Sequence, residues 1–389
     1  MLGHIWLAGS IANLAVQPVR AIRDLGDTDF VYAFMTAARM LHAGTTTLYS
    51  TAAQRAARAQ FIQLVPTEVS DRYINPPLAA WLIQPIAMLP PETALPVFLA
   101  LSAAASLAAA AVLVRTFLTE HPAEIAVLTG VVCLATLPGA QAFAVVNWNA
   151  LLLLPLSGAL WASLRDRPIL SGLLLSVLLV KPQTVWLVPV AMLFGRSWRP
   201  LAGFATGAVV WVATTLVLTD PGQLSAWATE GLPHHAAEAR QTVGMPGIVA
   251  SALGGGAAFA ATAVLAVVAI AMAWRMRRAL AAHPTAALAL AVLGSALFAP
   301  HIWPEDMLLA GAALVVWAAS DLRAALVTAA ALDIAYLLDS ALPQTLAHTQ
   351  AIVLAVATLA LARALVSDRI RLREQAHLQA RSEALEGAT

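Results

Sequence analysis

Apolar runs of roughly twenty residues, the length a helix needs to cross a bilayer, recur along most of the chain between short polar or basic stretches. They cover about 94–117, 123–143, 147–164, 168–195, 199–219, 256–274, 283–300, 305–320, 322–339 and 345–366. In hydrocarbon the backbone must satisfy its own hydrogen bonds, so each run predicts a helix. The stretch 168–195 is too long for one simple crossing, and Lys181-Pro182-Gln183 interrupts it. Proline removes a backbone donor and a lysine at mid-bilayer is costly, so two short helices meeting at a polar apex are expected there. Leu78 to Leu89 is apolar over only about a dozen residues, which suits a short or re-entrant helix. Met1 to Gln17 lacks a basic n-region and contains Asn13 and Gln17, so it reads as a weak first membrane helix rather than a cleaved signal.

A long polar interval separates that first helix from the apolar runs, a first loop over about 22–77. Within it Asp27-Thr28-Asp29 opens a segment where Phe30, Ala33, Phe34, Ala37 and Leu41 recur at helical spacing, with Gly44 as a stop. The spacing predicts an amphipathic helix lying in the membrane interface. A second helical segment, about 51–64, carries Arg55 and Arg58. After 366 the chain is rich in Arg, Glu and Gln and reads as a solvated cytoplasmic tail, 367–389. The organisation is therefore one membrane domain, 1–366, plus that tail. Neither an internal repeat nor a soluble domain is visible.

Composition agrees with this pattern. Apolar residues make up 60% and charged residues 11% of the 389, where a soluble domain would carry about a quarter charged residues. The mean hydropathy is +0.78. The fold class is thus an all-α polytopic membrane protein, with about ten to twelve transmembrane helices. A net charge of +1 gives no reason to expect nucleic acid. Cys133 is the single cysteine, which excludes an intramolecular disulfide framework and a cysteine-rich metal site. Basic loops face the cytoplasm in membrane proteins. Arg165 with Arg167, Arg196 with Arg199, the cluster at 275–278 and the tail from Arg369 to Arg373 fall on one side when the runs alternate from 147 onward. The opposite, extracytoplasmic side collects Asn147, Asn149, Lys181, the 220–246 loop and the stretch His301 to Asp306. An inner-membrane protein with its polar surface facing outward is expected.

Several residues on that side carry candidate chemistry. Asp27 and Asp29 either cap the helix that follows or supply a general base for a hydroxyl nucleophile. Lys181, the only lysine, either snorkels to an interface or offers a point charge to a phosphate. His301, Trp303, Glu305 and Asp306 lie at one helix boundary, where the carboxylates suit caps and the aromatics suit an interface, or all four suit a site. His234 and His235 are adjacent and lack helical metal-ligand spacing, so substrate contact is the better functional reading. Asn147 and Asn149 are caps or cavity-lining amides. Asp333 lies deep enough in its run to need a partner.

These residues fall in motifs that resemble glycosyltransferase family 87, membrane enzymes of the GT-C superfamily that use polyprenyl-phosphate sugars. Asp29-Phe30-Val31-Tyr32, then Gly44 and Leu48-Tyr49, resembles its opening "DFxxY…G…LY". Tyr73-Ile74-Asn75-Pro76-Pro77-Leu78 is similar to its "Y.YPPL" element, and Asn147-Trp148-Asn149 stands where "GQ.N" is expected. The Arg165–Pro168 loop with Lys181-Pro182-Gln183 resembles "RRP.LAG…KPQ", and Pro300 to Met307 resembles "SP…YDL". Gln141 stands apart from Asn147, and Glu305 replaces the expected aromatic.

The resemblance implies a GT-C-type bundle with an extracytoplasmic first loop and an inverting transfer of a hexose, mannose by default, from a polyprenyl-phosphate donor to a lipid or glycan acceptor. It makes Asp29 the general base, with Asp27 as the alternative. Lys181 and nearby arginines would stabilise the departing phosphate, together with His301, Tyr73, Asn147 and Asn149. Tyr32, Trp303, Glu305, Asp306, His234 and His235 would contact substrate. No cofactor is required, and a divalent metal remains compatible. The rival reading is a transporter or flippase with Asp333 as proton relay, against which stands the long structured first loop.

Overall fold

Proline opens many of the helices. It costs nothing at the first helical position, where the backbone N–H has no intrahelical partner. The computed structural model describes residues 2–62, 73–231, 242–299, 301–342 and 348–367, and no strand occurs among them. Helices α1 (Leu2–Arg23), α2 (Thr36–His42), α3 (Thr51–Phe61) and α4 (Pro77–Ala87) precede the long apolar α5 (Pro91–Phe117). Next come α6 (Ala123–Leu134), α7 (Leu137–Ala144), α8 (Asn149–Leu164), α9 (Pro168–Ser176), α10 (Leu187–Phe194) and α11 (Trp198–Leu218). The second half holds α12 (Pro221–Ala226), α13 (Met245–Leu253), α14 (Gly255–Arg275), α15 (Arg277–Ala282) and α16 (Pro284–Phe298). It ends with α17 (Met307–Ala318), α18 (Leu322–Ala341) and α19 (Thr349–Val366).

Among the described residues, α5, α11, α18 and α19 are each long and apolar enough to cross a membrane. The pair α6 and α7 makes a fifth crossing if its 66° bend is one broken span. Other expected crossings are present as shorter apolar helices, including α8 and α16, and α4 is the short helix expected at Leu78 to Leu89. The helices fall close to the expected ranges, and the interruption at Lys181 is where it was expected. There α9 passes into a 3-10 turn (Val177–Val180), and a second turn (Pro182–Thr184) leads into α10. Helices α16 and α17 form the centre: Thr285 to Phe298 and all of α17 are buried. By contrast α11 buries only Gly203, Phe204 and Thr215, leaving the rest of its apolar surface outward for lipid. It lies very close to α9, because a Cβ on Gly172 would stand 1.9 Å from the Pro200 carbonyl oxygen. Small residues at such a crossing let membrane helices approach closely.

Two expectations need correction. The run 123–143 is not one straight span. At its break Thr136 Oγ1 accepts the Gly139 N–H (3.3 Å), and the Leu137 N–H donates to Asp333 Oδ1 (2.6 Å), so α7 starts afresh with its own caps. Asp333 thereby has the partner its depth demands.

The helix after Asp29 is not an amphipathic interfacial one either. It begins as a π-helix (Phe30–Met35), all six residues are buried, and Thr36, Ala37, Ala38 and Met40 of α2 are buried as well. The predicted apolar stripe is present, but Val31, Met35 and Ala38 make the opposite face apolar too, and a helix apolar all round is a core helix. Phe30 stacks on Phe98 at 4.6 Å, and Phe34 lies between Tyr73 and Trp148. Gly44 stops the segment with a positive φ of 74°, as a C-terminal glycine does. Arg39 then donates to the Phe61, Ala87 and Leu89 carbonyls, tying α2 to the C-terminal ends of α3 and α4.

Candidate active site

The buried first-loop helix is pinned at its start to the far end of α7, where the Asp29 N–H donates to the Val145 carbonyl at 2.7 Å. The capping task that sequence allowed for the aspartates falls to Thr28, whose Oγ1 accepts the Val31 N–H at 3.3 Å. Asp29 makes no cap bond. Its carboxylate instead accepts the Tyr32 hydroxyl at 2.5 Å, three residues on and so on the same helix face. Asp27 ends the 3-10 turn Leu25–Asp27, and its side chain lies outside the described ones.

After Val145 the chain turns sharply at Val146, a β-branched residue held at φ 55°, where side chains are strained. That turn delivers two asparagines to the acidic link between α16 and α17. Asn147 Nδ2 donates to Glu305 Oε1 at 3.1 Å, and Asn149 Nδ2 donates to Asp306 Oδ1 at 2.8 Å. Lys181, at the break between α9 and α10, donates to the same Asp306 oxygen at 2.5 Å. Asp306 Oδ2 accepts the Trp303 N–H at 2.9 Å, so three donors surround this carboxylate. The Trp303 indole donates to His301 Nε2 at 2.8 Å. An indole can only donate, so Nε2 is the accepting ring nitrogen of this pair.

These groups face one cavity of about 180 Å³. Asp29 and Tyr32 line one wall, and Asn147, Lys181, His301, Trp303 and Glu305 line the rest. Asp306 and Asn149 stand behind them and hold them. Tyr73 does not line it: the ring is 1% exposed and its hydroxyl donates to the Pro76 carbonyl at 2.6 Å. Its backbone is gripped by Gln54, which accepts the Tyr73 N–H and donates to its carbonyl. The residues it positions, Ile74 and Asn75, are the ones in the wall. Gln183 lines the cavity too. Both polar residues missed as site candidates, Asn75 and Gln183, stand inside sequence motifs whose more conspicuous members were chosen instead. His234 and His235 lie outside the described residues.

Among the described residues, the carboxylates of Asp29 and Glu305 and the ammonium of Lys181 line the cavity. No arginine lines the cavity among the described residues. Glu305 sits in the link between α16 and α17, outside both helices. Burial pushes its carboxyl up to about 8, against the pull of Lys181 and with further upward pressure from Asp306 and Asp29. No group of three or more His, Cys, Asp or Glu side chains suited to a metal ion occurs among the described residues.

A buried carboxylate, an ammonium and neutral donors around one water-sized to sugar-sized cavity can position a hydroxyl and an anion side by side. Against known families, the sequence model of glycosyltransferase family 87 matches residues 73–304. The chain belongs to glycosyltransferase family 87. No curated protein and no solved structure matches it. As a family 87 member it is a membrane glycosyltransferase, with a sugar donor and an acceptor as its partners. The matched residues include Asn147, Lys181, Gln183, His301 and Trp303 of the cavity wall. Asp29 and Tyr32 precede the match, and Glu305 and Asp306 directly follow it.

Proposed function

We propose that this glycosyltransferase moves a hexose, mannose in the first instance, from a polyprenyl-phosphate donor to a hydroxyl of a lipid or glycan acceptor. The reaction proceeds with inversion on the extracytoplasmic face of the inner membrane. The observation that carries this reading is the placement of the Asp29 carboxylate and the Lys181 ammonium in the wall of one cavity. In the reaction, the acceptor hydroxyl lies against Asp29, which takes its proton as the oxygen attacks the anomeric carbon. The bond from that carbon to the phosphate oxygen breaks with its electron pair, and polyprenyl phosphate departs. Lys181 faces the phosphate as a point charge held in place by Asp306. Tyr32 orients the base through its hydrogen bond.

A donor with a prenyl tail also needs apolar surface next to the phosphate. A small cavity of about 60 Å³ between α10, α14, α16 and α19 is lined by apolar residues such as Leu187, Met272, Leu290 and Phe298. Leu187 follows the Lys181 break closely and Phe298 precedes the His301 link, which suits a tail leading to the site. The rival transporter reading would use Asp333 as a proton relay, but its carboxylate holds the start of α7. The test is label transfer from polyprenyl-phosphate mannose by purified protein, with Asp29→Asn as its control. The reading fails if no polyprenyl-phosphate sugar, hexose or pentose, gives a product.

A further inference from the structure

Every backbone carbonyl from Tyr73 to Pro76 accepts a hydrogen bond from a side chain. Gln54 Nε2 donates to the Tyr73 carbonyl at 3.1 Å, and the Trp227 indole donates to that of Ile74 at 2.9 Å. The Tyr49 hydroxyl donates to the Asn75 carbonyl at 2.7 Å, and the Tyr73 hydroxyl to that of Pro76 at 2.6 Å. The Tyr73 N–H is held as well, by Gln54 Oε1 at 2.9 Å. Pro76 and Pro77 then fix two successive φ angles. This short segment is therefore pinned from α3, from the turn before it and from the residue after α12.

The Asn75 side chain is spent on none of these bonds. It is 8% exposed and lines the cavity that holds Asp29 and Lys181. Its amide makes no hydrogen bond among the described residues. Other polar groups of the wall are engaged: Tyr32 with Asp29, Asn147 with Glu305, Lys181 with Asp306, and Trp303 with His301. Gln183 carries a second amide without a partner among the described residues, but that residue is only half-buried. Buried amides are normally hydrogen-bonded, and a few convergent polar groups in a cavity wall fix the orientation of a ligand. A buried amide held rigidly in such a wall therefore points to a ligand group that completes it.

The chemistry it fits is a ring with neighbouring hydroxyls. A primary amide offers two donors and an acceptor, and each hydroxyl both donates and accepts. One amide in a fixed plane thus matches a vicinal pair in one configuration and mismatches it in the epimer. A cavity of about 180 Å³ is sized for one sugar ring, so an acceptor reaches in with its hydroxyl alone.

Resting on the transferase reading, we propose that Asn75 determines which sugar is transferred: its amide binds hydroxyls of the donor's sugar ring and selects their configuration. The charged groups of the wall meet the reacting bonds, which every phosphate-linked sugar shares. Asn75 meets the part of the ring in which sugars differ. A donor whose hydroxyl points elsewhere leaves the buried amide unpaired, the situation in which hydrogen-bonding sites discriminate most sharply.

The experiment compares wild type and Asn75→Ala on polyprenyl-phosphate mannose, glucose, galactose and arabinose. It reads the ratio of kcat/KM between the best donor and the others. Alanine keeps the backbone carbonyl that Tyr49 holds, so the variant should melt with wild type. The expected result is a preference reduced about 10-fold or more, by loss on the best donor. An equal loss on all four donors, an unchanged preference, or a wild type indifferent among the four overturns the proposal. Saturation-transfer NMR with the methyl glycosides of the same sugars reads the ring alone, without phosphate or turnover. Contact with at least one glycoside in wild type that is lost in Asn75→Ala supports the amide. Equal contact in both proteins, or no contact in wild type, overturns it. Wild type that binds a glycoside through Asn75 yet transfers from no donor sinks the transfer reading alone.

Discussion

Lys181 and Asp306 form a buried ion pair, with side chains 7% and 1% exposed. Removing one partner of such a pair strands the other charge, whereas removing both need not. Lys181→Met should therefore lower stability by about 3–5 kcal/mol, and the double variant Lys181→Met with Asp306→Leu should regain part of it. Thermal unfolding in detergent reads both, and a single variant as stable as wild type would show that Asp306 is solvated or protonated without its lysine. At this scale the sequence was partly legible. Lys181 stood out as a lone lysine within an apolar run, and His301 to Asp306 as a polar cluster at a helix boundary. What could not be read was the order of the groups. Asp306 and Asn149 hold the wall from behind while Glu305 and Asn147 form it, a difference set by pairings across more than 150 residues of chain. Tyr73 drew attention as a motif aromatic, yet its hydroxyl is used to shape the turn that presents Asn75.

Among elements, the short helix α7 connects the membrane interior to the site. Asp333 accepts the N–H at its start, and Val145 just beyond its end accepts the Asp29 N–H. Carboxylates at a helix N-terminus satisfy an orphan donor and complement the dipole. Asp333→Leu should cost about 1–2 kcal/mol of stability, and Asp333→Asn, which still offers an acceptor, less. Equal losses in the two would mean that the charge, not the hydrogen bond, holds the bend. The break at Pro182 was legible because proline and lysine announce it locally. The bend before α7 was not, because the chain there stays apolar and one of its caps lies 196 residues downstream. The first-loop helix shows the opposite failure. Its apolar spacing was read correctly, but the apolar residues on its other face were the sign that it is buried.

For the molecule as a whole, the basic loops and the cavity lie on opposite sides of the predicted topology. Cys133 is buried, so an introduced cysteine can be labelled with little background. A cysteine replacing the exposed Glu230 should react with an impermeant maleimide on intact cells, whereas one replacing Arg278 should react only after lysis. The reverse pattern would turn the cavity toward the cytoplasm and remove a lipid-linked donor from consideration. Helix content and most boundaries were legible because hydrocarbon imposes one rule on every span. The site was legible only as a set of residues on one side, since neither spacing nor composition says which of them meet.

The central claim is that Asp29 is the base of a sugar transfer from a lipid-linked donor. The direct measurement uses purified protein in lipid nanodiscs with radiolabelled polyprenyl-phosphate mannose and a crude lipid extract as acceptor, comparing wild type with Asp29→Asn. Because Thr28 rather than Asp29 caps the helix, the variant should fold with an unchanged melting temperature. The account predicts label in a new product with wild type and a loss of at least about 100-fold with Asp29→Asn. A folded Asp29→Asn protein that transfers label at the wild-type rate would contradict it.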